Sequence, residues 1–107
     1  MNKLITVAVI DSGIYPHIDF KNRIVAFKDF VNGRKNAYDD CGHGTHVSGI
    51  IADATPANVE LLVLRVSNNE GKSSLLTIKT ALQYAVSKNA DVVNLSMGFI
   101  DVNASLY

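Results

Sequence analysis

Strand-like and helix-like segments alternate along this chain, and that alternation limits its possible folds more than any other feature. Residues 4–10 form a nearly continuous apolar run rich in β-branched side chains, which is typical of a central strand buried on both faces. Further strands are predicted at residues 24–30, 59–66 and 91–95, the last also as a buried strand. The pattern favours an α/β fold with a parallel sheet.

Two segments have the apolar spacing of amphipathic helices. The first begins at His43 and stops before Pro56, and the second follows Ser74, a favoured N-cap residue. The second helix is expected to cover one face of the sheet. The chain has 107 residues, of which 48% are hydrophobic, and it contains no repeat or linker. That length suits one domain with one modest core.

Charge and cysteine content narrow the possible partners and surroundings. Ten basic and ten acidic residues give a formal net charge of +0, which supplies no electrostatic attraction for nucleic acid or an anionic membrane. No apolar run reaches membrane-spanning length. Residues 1–3 lead into the first strand without the pattern of a signal peptide, so the chain is expected to carry none. The single cysteine, Cys41, excludes an internal disulfide and fits a reducing compartment. A cytoplasmic location is favoured, although a removed pro-segment would leave the same pattern.

Three polar motifs lie just past predicted strands or at the start of a helix. Asp11 ends the first strand, His43 opens the first helix, and Ser96-Met97-Gly98 follows the last strand. Ligands bind at this edge of open parallel sheets, so the motifs are expected to share one cleft. A histidine can take a proton from a hydroxyl and return it to a leaving amine, and a carboxylate at Nδ1 orients it.

Residues 7–14, 42–49 and 91–98 resemble three conserved segments of the subtilisin-like serine proteases: the aspartate box, the histidine box and a substrate-binding segment. The resemblance implies a three-layer αβα fold with a parallel central sheet and serine endopeptidase activity through an acyl-enzyme. It assigns Asp11 and His43 to the catalytic triad. It also implies that the backbone of Ser96, Met97 and Gly98 binds extended peptide, with Gly71 on the opposite wall.

The sequence departs from this family where the nucleophile is concerned. Residues 1–107 contain no Gly-Thr-Ser nucleophile box and no oxyanion asparagine segment, so they correspond to the first part of a family catalytic domain. The chain alone is therefore expected to be inactive. Expected partners are a peptide or protein substrate, and either the missing C-terminal half or a second copy bound through exposed sheet edges. The alternatives are a non-catalytic peptide-binding or assembly module and one half of a split protease.

Metal binding is the main rival to catalysis for these side chains. Cys41, His43 and His46 lie close together, but a zinc site needs a fourth ligand and has no use for glycines flanking a histidine, so no metal is predicted. Asp19 resembles an aspartate that helps bind calcium in several family members. The segment 53–58, where the family's other calcium ligands usually lie, is short here, so we do not expect a tight calcium site. No redox or nucleotide cofactor is implied.

The remaining polar residues near the motifs have plainer interpretations. Cys41 is expected to be a small, partly buried neighbour of His43 rather than a substitute nucleophile. His46 is expected to pack or hydrogen bond behind the site, and His17 to lie in a surface loop. Asp39 is interpreted as part of a solvated acidic turn. Asp40 is left open between that turn and a supporting group near His43.

Overall fold

The structure is a computed structural model, and it describes residues 3–96. The predicted Met97 and Gly98 lie outside the described residues. The described residues form four strands and two α-helices, with a short 3₁₀ turn at Lys21–Arg23 before the second strand. In chain order these are β1 (Ile5–Asp11), β2 (Ile24–Asp29), α1 (His43–Ala54), β3 (Val59–Arg65), α2 (Leu75–Ser87) and β4 (Val92–Leu95).

The four strands form one parallel sheet in the order β2-β3-β1-β4. The register pairs Asp11 with Arg65 and Ile10 with Leu95, so the carboxyl ends of β1, β3 and β4 lie at one edge. The two central strands, β1 and β3, carry most of the buried apolar side chains. This arrangement places Asp11 and Ser96 at the same edge of the sheet, as predicted.

One helix covers each face of the sheet. On one face, Ile78, Ala81 and Ala85 of α2 pack against alternate residues of the central strands, including Ala8, Ile10, Leu62 and Leu64. On the other face, Val47 and Ile51 of α1 pack against the intervening residues, including Val7, Val9, Leu61 and Val63. Alternation along each strand therefore supplies both layers of core, and the predicted three-layer α/β fold is confirmed.

Local sequence signals set the helix ends. The Ser74 side chain accepts a hydrogen bond from the Thr77 N–H at 3.1 Å, which confirms the predicted N-cap of α2. Helix α1 ends at Ala54 because Thr55 precedes Pro56 and takes the extended conformation that a following proline favours. Within residues 3–96, no helix has the length and apolar character needed to cross a membrane.

The prediction that residues 91–95 form a buried strand is wrong for this chain. In the part of the chain that the structure describes, strand β4 is at the edge of the sheet and pairs with β1 alone. The side chains of Val92, Val93 and Leu95 are 51%, 38% and 44% exposed. Apolar composition predicts a strand, but burial also requires a neighbouring strand and a covering layer, and β4 has a described partner on one side only.

Candidate active site

Asp11 and His43 form the centre of the site. The Nδ1 atom of His43 lies 2.8 Å and 2.9 Å from the two carboxylate oxygens of Asp11. Asp11 is buried at the end of β1, whereas the His43 side chain at the first position of α1 is 51% exposed. The structure therefore brings the two predicted catalytic side chains together, with the carboxylate inside and the imidazole at the surface.

This contact fixes the protonation pattern of the imidazole. A carboxylate only accepts hydrogen bonds, so Nδ1 carries a proton and donates it to Asp11. In the neutral ring, Nε2 is then left with a lone pair. Because the ring is half exposed and Asp11 is its hydrogen-bond partner within the described part of the chain, Nε2 is available to accept a proton from an incoming hydroxyl.

The backbone around Asp11 holds its carboxylate in place. The Ser12 N–H donates to Asp11 Oδ1 at 2.7 Å, and the Val66 N–H donates to the Asp11 carbonyl oxygen at 2.8 Å. Asp11 is thus fixed by β1, by the residue after it and by the end of β3. A carboxylate held in this way orients the imidazole with little freedom to rotate away.

Helix α1 approaches this segment so closely that its second residue must be glycine. The Gly44 N–H donates to Ser12 Oγ at 2.9 Å. A Cβ atom built on Gly44 would press against the Gly13 carbonyl oxygen and lie 3.0 Å from the Gly13 nitrogen and 3.1 Å from the Ser12 nitrogen. The close approach is what brings the adjacent His43 within hydrogen-bond distance of Asp11.

Asp39 is not the solvated turn residue that we predicted. Its carboxylate is partly buried and accepts hydrogen bonds from the Ser12 hydroxyl, from the Thr45 hydroxyl and from the backbone N–H groups of Cys41, Gly42 and Thr45. Burial alone would raise the pKa of Asp39, but the hydrogen bonds from Thr45, Gly42 and Ser12 outweigh burial and hold the pKa below its ordinary value. Asp39 is thus a structural carboxylate beside the site.

A buried arginine, Arg65, also supports the site and was not singled out from the sequence. The side chain is 1% exposed, and its Nη1 donates to the Ser12 carbonyl oxygen at 2.6 Å and to Asp40 Oδ1 at 2.7 Å. The contact answers the open question about Asp40, which supports the segment after β1 through Arg65. The sequence feature that could have identified Arg65 is its position as the one charged residue within the otherwise apolar run of residues 61–66.

Asp29, another buried carboxylate, binds the loop between β2 and α1, which leads to the site. It accepts hydrogen bonds from the Tyr38 hydroxyl and from the backbone N–H groups of Val31, Asn32 and Arg34. Burial opposes ionisation, but these hydrogen bonds outweigh it and lower the pKa of Asp29. Burial and the hydrogen bond to Asp29 raise the pKa of Tyr38. The guanidinium of Arg65 lies 4.6 Å from the centre of the Tyr38 ring.

Of the residues predicted to bind extended peptide, the structure describes Ser96 and Gly71. Ser96 is exposed at the end of β4, and its hydroxyl accepts a hydrogen bond from Asn94 Nδ2 at 2.7 Å. Gly71 lies in the β3–α2 loop with a φ of +79°, and a Cβ atom there would be 3.7 Å from Cys41 Sγ. Cys41 itself is exposed rather than partly buried. The β3–α2 loop thus borders the segment that leads into His43.

The other histidines lie at a separate groove. His46 is exposed, contrary to the prediction that it packs or hydrogen bonds behind the site. It lines a groove of about 600 Å³ between the segment 17–23 and α1. His17 is in an exposed loop, as predicted, where its Nδ1 accepts a hydrogen bond from the Asp19 N–H at 3.1 Å. Among residues 3–96, no three His, Cys, Asp or Glu side chains are grouped closely enough to hold a metal ion.

The chain is similar in sequence and in structure to known serine proteases. The chain is 34% identical over 113 residues to serine protease AprX of Bacillus subtilis (strain 168), a match that covers 90% of this chain and 26% of that protein. A cold-adapted subtilisin-like serine proteinase aligns with 94% of this chain at a TM-score of 0.77 and 32% identity. A lanthipeptide protease aligns with 95% of it at a TM-score of 0.83 and 28% identity.

The alignments cover nearly all of this chain but a minor part of each relative. This chain spans 39% of the cold-adapted proteinase and 32% of the lanthipeptide protease. The sequence profile of the subtilase family (peptidase S8) matches residues 2–105. The chain therefore belongs to the subtilase family.

Proposed function

We propose that this chain supplies the aspartate and histidine of a serine endopeptidase, and that the nucleophilic serine comes from a segment outside residues 1–107. The observation that carries the proposal is the hydrogen bond between buried Asp11 and half-exposed His43, which places the proton on Nδ1 and leaves the Nε2 lone pair for a reactant. Membership of the subtilase family and the similarity to serine protease AprX support the same reaction.

The proposed reaction proceeds in two halves. His43 Nε2 takes the proton from the serine hydroxyl as the serine oxygen attacks the peptide carbonyl carbon. His43 then gives the proton to the departing amine, which leaves an acyl-enzyme that water hydrolyses with the same general base. Asp11 keeps the imidazole in the required tautomer and stabilises the imidazolium that forms in each half. These steps use side chains alone and require no redox or nucleotide cofactor.

We further propose that extended peptide binds beside β4. Among residues 3–96, no strand pairs with β4 on the side away from β1, and Ser96 directly follows β4 at the edge of the sheet that carries Asp11. Extended peptides bind such edges by adding a strand. The family resemblance extends this role to Met97 and Gly98, and it makes the Gly71 loop the opposite wall of the cleft. The position of Gly71 supports this, because a Cβ atom built on it would lie 3.7 Å from Sγ of Cys41, two residues before His43.

The 107-residue chain alone is proposed to lack turnover. None of its eight serines lies in a Gly-Thr-Ser box. Removing the serine of a triad costs about 10⁶-fold in rate, so an Asp-His pair without a nucleophile retains no useful peptidase activity. The exposed apolar face at β4 is the surface on which the remaining part of the catalytic domain is proposed to pack.

The test compares two histidines of the same motif. In the product of the complete reading frame, His43→Ala is expected to lower kcat for a peptide substrate by about 10⁶-fold, whereas His46→Ala at the separate groove keeps kcat close to that of the parent. Reaction with a fluorophosphonate reagent reports the activated serine. Equal kcat in both variants would contradict the proposal.

The same experiment distinguishes the alternative functions. Activity that requires mixing the 107-residue chain with a separately encoded, serine-bearing chain would identify a split protease. Peptide binding without hydrolysis by the complete protein would identify a non-catalytic module. Labelling of the complete protein by the fluorophosphonate reagent, with loss of labelling in His43→Ala, would exclude that module.

A further inference from the structure

Asp39 connects the two segments that carry Asp11 and His43. Its Oδ1 accepts hydrogen bonds from the Ser12 hydroxyl at 2.8 Å and the Gly42 N–H at 2.8 Å. Its Oδ2 accepts from the Thr45 N–H at 2.9 Å and the Thr45 hydroxyl at 2.6 Å. One carboxylate thus contacts the residue after Asp11 and the residues on both sides of His43.

We propose that Asp39 is a positioning residue that sets the geometry of the Asp11–His43 pair. It touches neither the imidazole nor the catalytic carboxylate, and it acts by fastening the segment after β1 to the first turn of α1. The effect on geometry stands on the contacts of Asp39 alone, whereas any effect on turnover rests on the proposed function.

The first connection passes through Ser12. A serine hydroxyl has one proton to donate and two lone pairs that accept. Because Asp39 Oδ1 takes the proton, a lone pair of Ser12 Oγ is free to accept from the Gly44 N–H, at 2.9 Å. Ser12 follows Asp11 and Gly44 follows His43, so this relay joins the two immediate neighbours of the pair.

The second connection passes through Thr45. The Thr45 hydroxyl donates to Asp39 Oδ2 and accepts from the Tyr15 N–H at 2.8 Å. Tyr15 lies in the segment that continues from Asp11, and Thr45 lies in the first turn of α1. The segment and the helix are therefore joined at two points, Ser12 with Gly44 and Tyr15 with Thr45, both of which follow the Asp11–His43 contact along the chain.

The charge of Asp39 suits its place at the start of α1. The residue at the N-cap position is Gly42, which has no side chain to satisfy the first N–H groups of the helix. Asp39 takes that role for Thr45, and Ser12 takes it for Gly44. A negative charge is also favoured at a helix N-terminus. The helix start is thus held in register by side chains from outside the helix.

The decisive experiment is proton NMR of the 107-residue chain, which reads the Asp11–His43 contact without any need for activity. A proton held between an imidazole Nδ1 and a buried carboxylate gives a resonance far downfield of the amides. The His43→Ala variant assigns that resonance. The test variant is Asp39→Asn, which sets an amide donor against the Gly42 or the Thr45 N–H, whichever way the amide turns. The matched control is Asp53→Asn, which makes the same change at an exposed carboxylate near the other end of α1.

We expect the His43 resonance to persist in Asp53→Asn and to be lost or shifted in Asp39→Asn, while the amide resonances of β1 and β3 keep their positions. An unchanged resonance in a folded Asp39→Asn variant would overturn the proposal. Absence of the resonance in the parent chain would also overturn it, because the geometry that Asp39 is said to set would not exist in solution.

A second pair of variants decides the case if Asp39→Asn does not fold. Thr45→Val removes the hydroxyl that links Asp39 to Tyr15, whereas Thr45→Ser keeps it. The resonance is expected to shift in Thr45→Val and to stay in place in Thr45→Ser. Identical spectra for these two variants would show that the second connection has no influence on His43 and would overturn the proposal.

Discussion

Gly44 and Gly49 lie on the same helix, α1, but differ in the space available for a side chain. Gly44 faces the segment after Asp11, where a Cβ atom would collide with backbone, whereas a Cβ atom on Gly49 would meet only the Phe20 ring at an ordinary 3.6 Å. Gly44→Ala is therefore expected to push α1 away from Asp11 and to lower the free energy of unfolding by about 1–3 kcal/mol.

Gly49→Ala is the matched control for that prediction. Glycine inside a helix costs about 0.5–1 kcal/mol relative to alanine, so Gly49→Ala is expected to keep or raise the free energy of unfolding. Urea titrations followed by circular dichroism measure both variants. Equal destabilisation by the two substitutions would show that the close approach at Gly44 has no special cost.

Buried Asp29 is expected to make the free energy of unfolding fall as the pH is lowered into the acid range. Its folded-state pKa is lowered by hydrogen bonds that outweigh burial, so the unfolded chain binds a proton at higher pH than the folded chain does. The stabilisation is complete above the pKa of an unfolded aspartate, about 3.9, and is lost as pH falls through the lower folded-state pKa. Asp29→Asn should flatten the decline in the free energy of unfolding below about pH 5.

Urea titrations at a series of pH values measure that decline. The control is Asp53→Asn, which removes an exposed carboxylate at the end of α1 and should leave the slope unchanged. Asp39 also has a lowered pKa, so part of the acid dependence persists in Asp29→Asn. A parental slope in Asp29→Asn would contradict the assignment.

The sequence carried different amounts of information for different residues of the site. Asp11 and His43 were predicted because each sits in a local motif at the end of a strand or the start of a helix. Asp39 and Arg65 were not, because their roles depend on partners such as Ser12 that are distant along the chain. No local pattern distinguishes a carboxylate that accepts five hydrogen bonds from one in a solvated turn.

At the scale of elements, the cap of α2 is the clearest link between sequence and stability. The Ser74 hydroxyl satisfies the Thr77 N–H, one of the helix N–H groups that have no partner within the helix. Ser74→Ala is expected to lower the free energy of unfolding by about 1 kcal/mol, and Ser74→Asp to preserve most of it.

A serine at the other end of the same helix provides the control. Ser87 donates to the carbonyl oxygen of Tyr84 and caps no free N–H group, so Ser87→Ala should change the free energy of unfolding less than Ser74→Ala does. Thermal and urea unfolding of the three variants give the comparison. A larger loss in Ser87→Ala would show that the N-cap contributes little to α2.

Element type and order were predictable, and burial at the sheet edge was not. Hydrophobic periodicity predicted the bounds of β1, β2, β3 and both helices to within about two residues. It did so because the spacing of apolar residues in each element follows the face that packs against the core. The error lay in β4, whose apolar sequence is that of an interior strand although its side chains are exposed. The apolar composition of β4 suits a strand with a neighbour on each side and a covering layer, and residues 3–96 provide a neighbouring strand on one side only.

At the scale of the whole molecule, the sheet formed by residues 3–96 has two unlike edges. At the β2 edge, Val25 is 52% exposed and the charged Lys28 follows three residues later in the strand. At the β4 edge, Val92 is 51% exposed, and the four residues of the strand include no charged side chain. Charged side chains on an edge strand discourage pairing with another chain, so the two edges differ in how well they are protected.

That difference predicts how the 107-residue chain behaves in solution. The parent chain is expected to self-associate through β4, because open strand edges and exposed apolar faces both favour contact between copies. Val92→Lys places a charge on the open edge and should shift the chain toward monomer. Val25→Lys makes the same change at an equally exposed valine on β2 and should leave association unchanged.

Sedimentation velocity over a wide concentration range measures the association of the parent chain and of both variants. A parent chain that stays monomeric at every concentration would contradict the prediction, and loss of association in Val25→Lys instead of Val92→Lys would move the contact to β2.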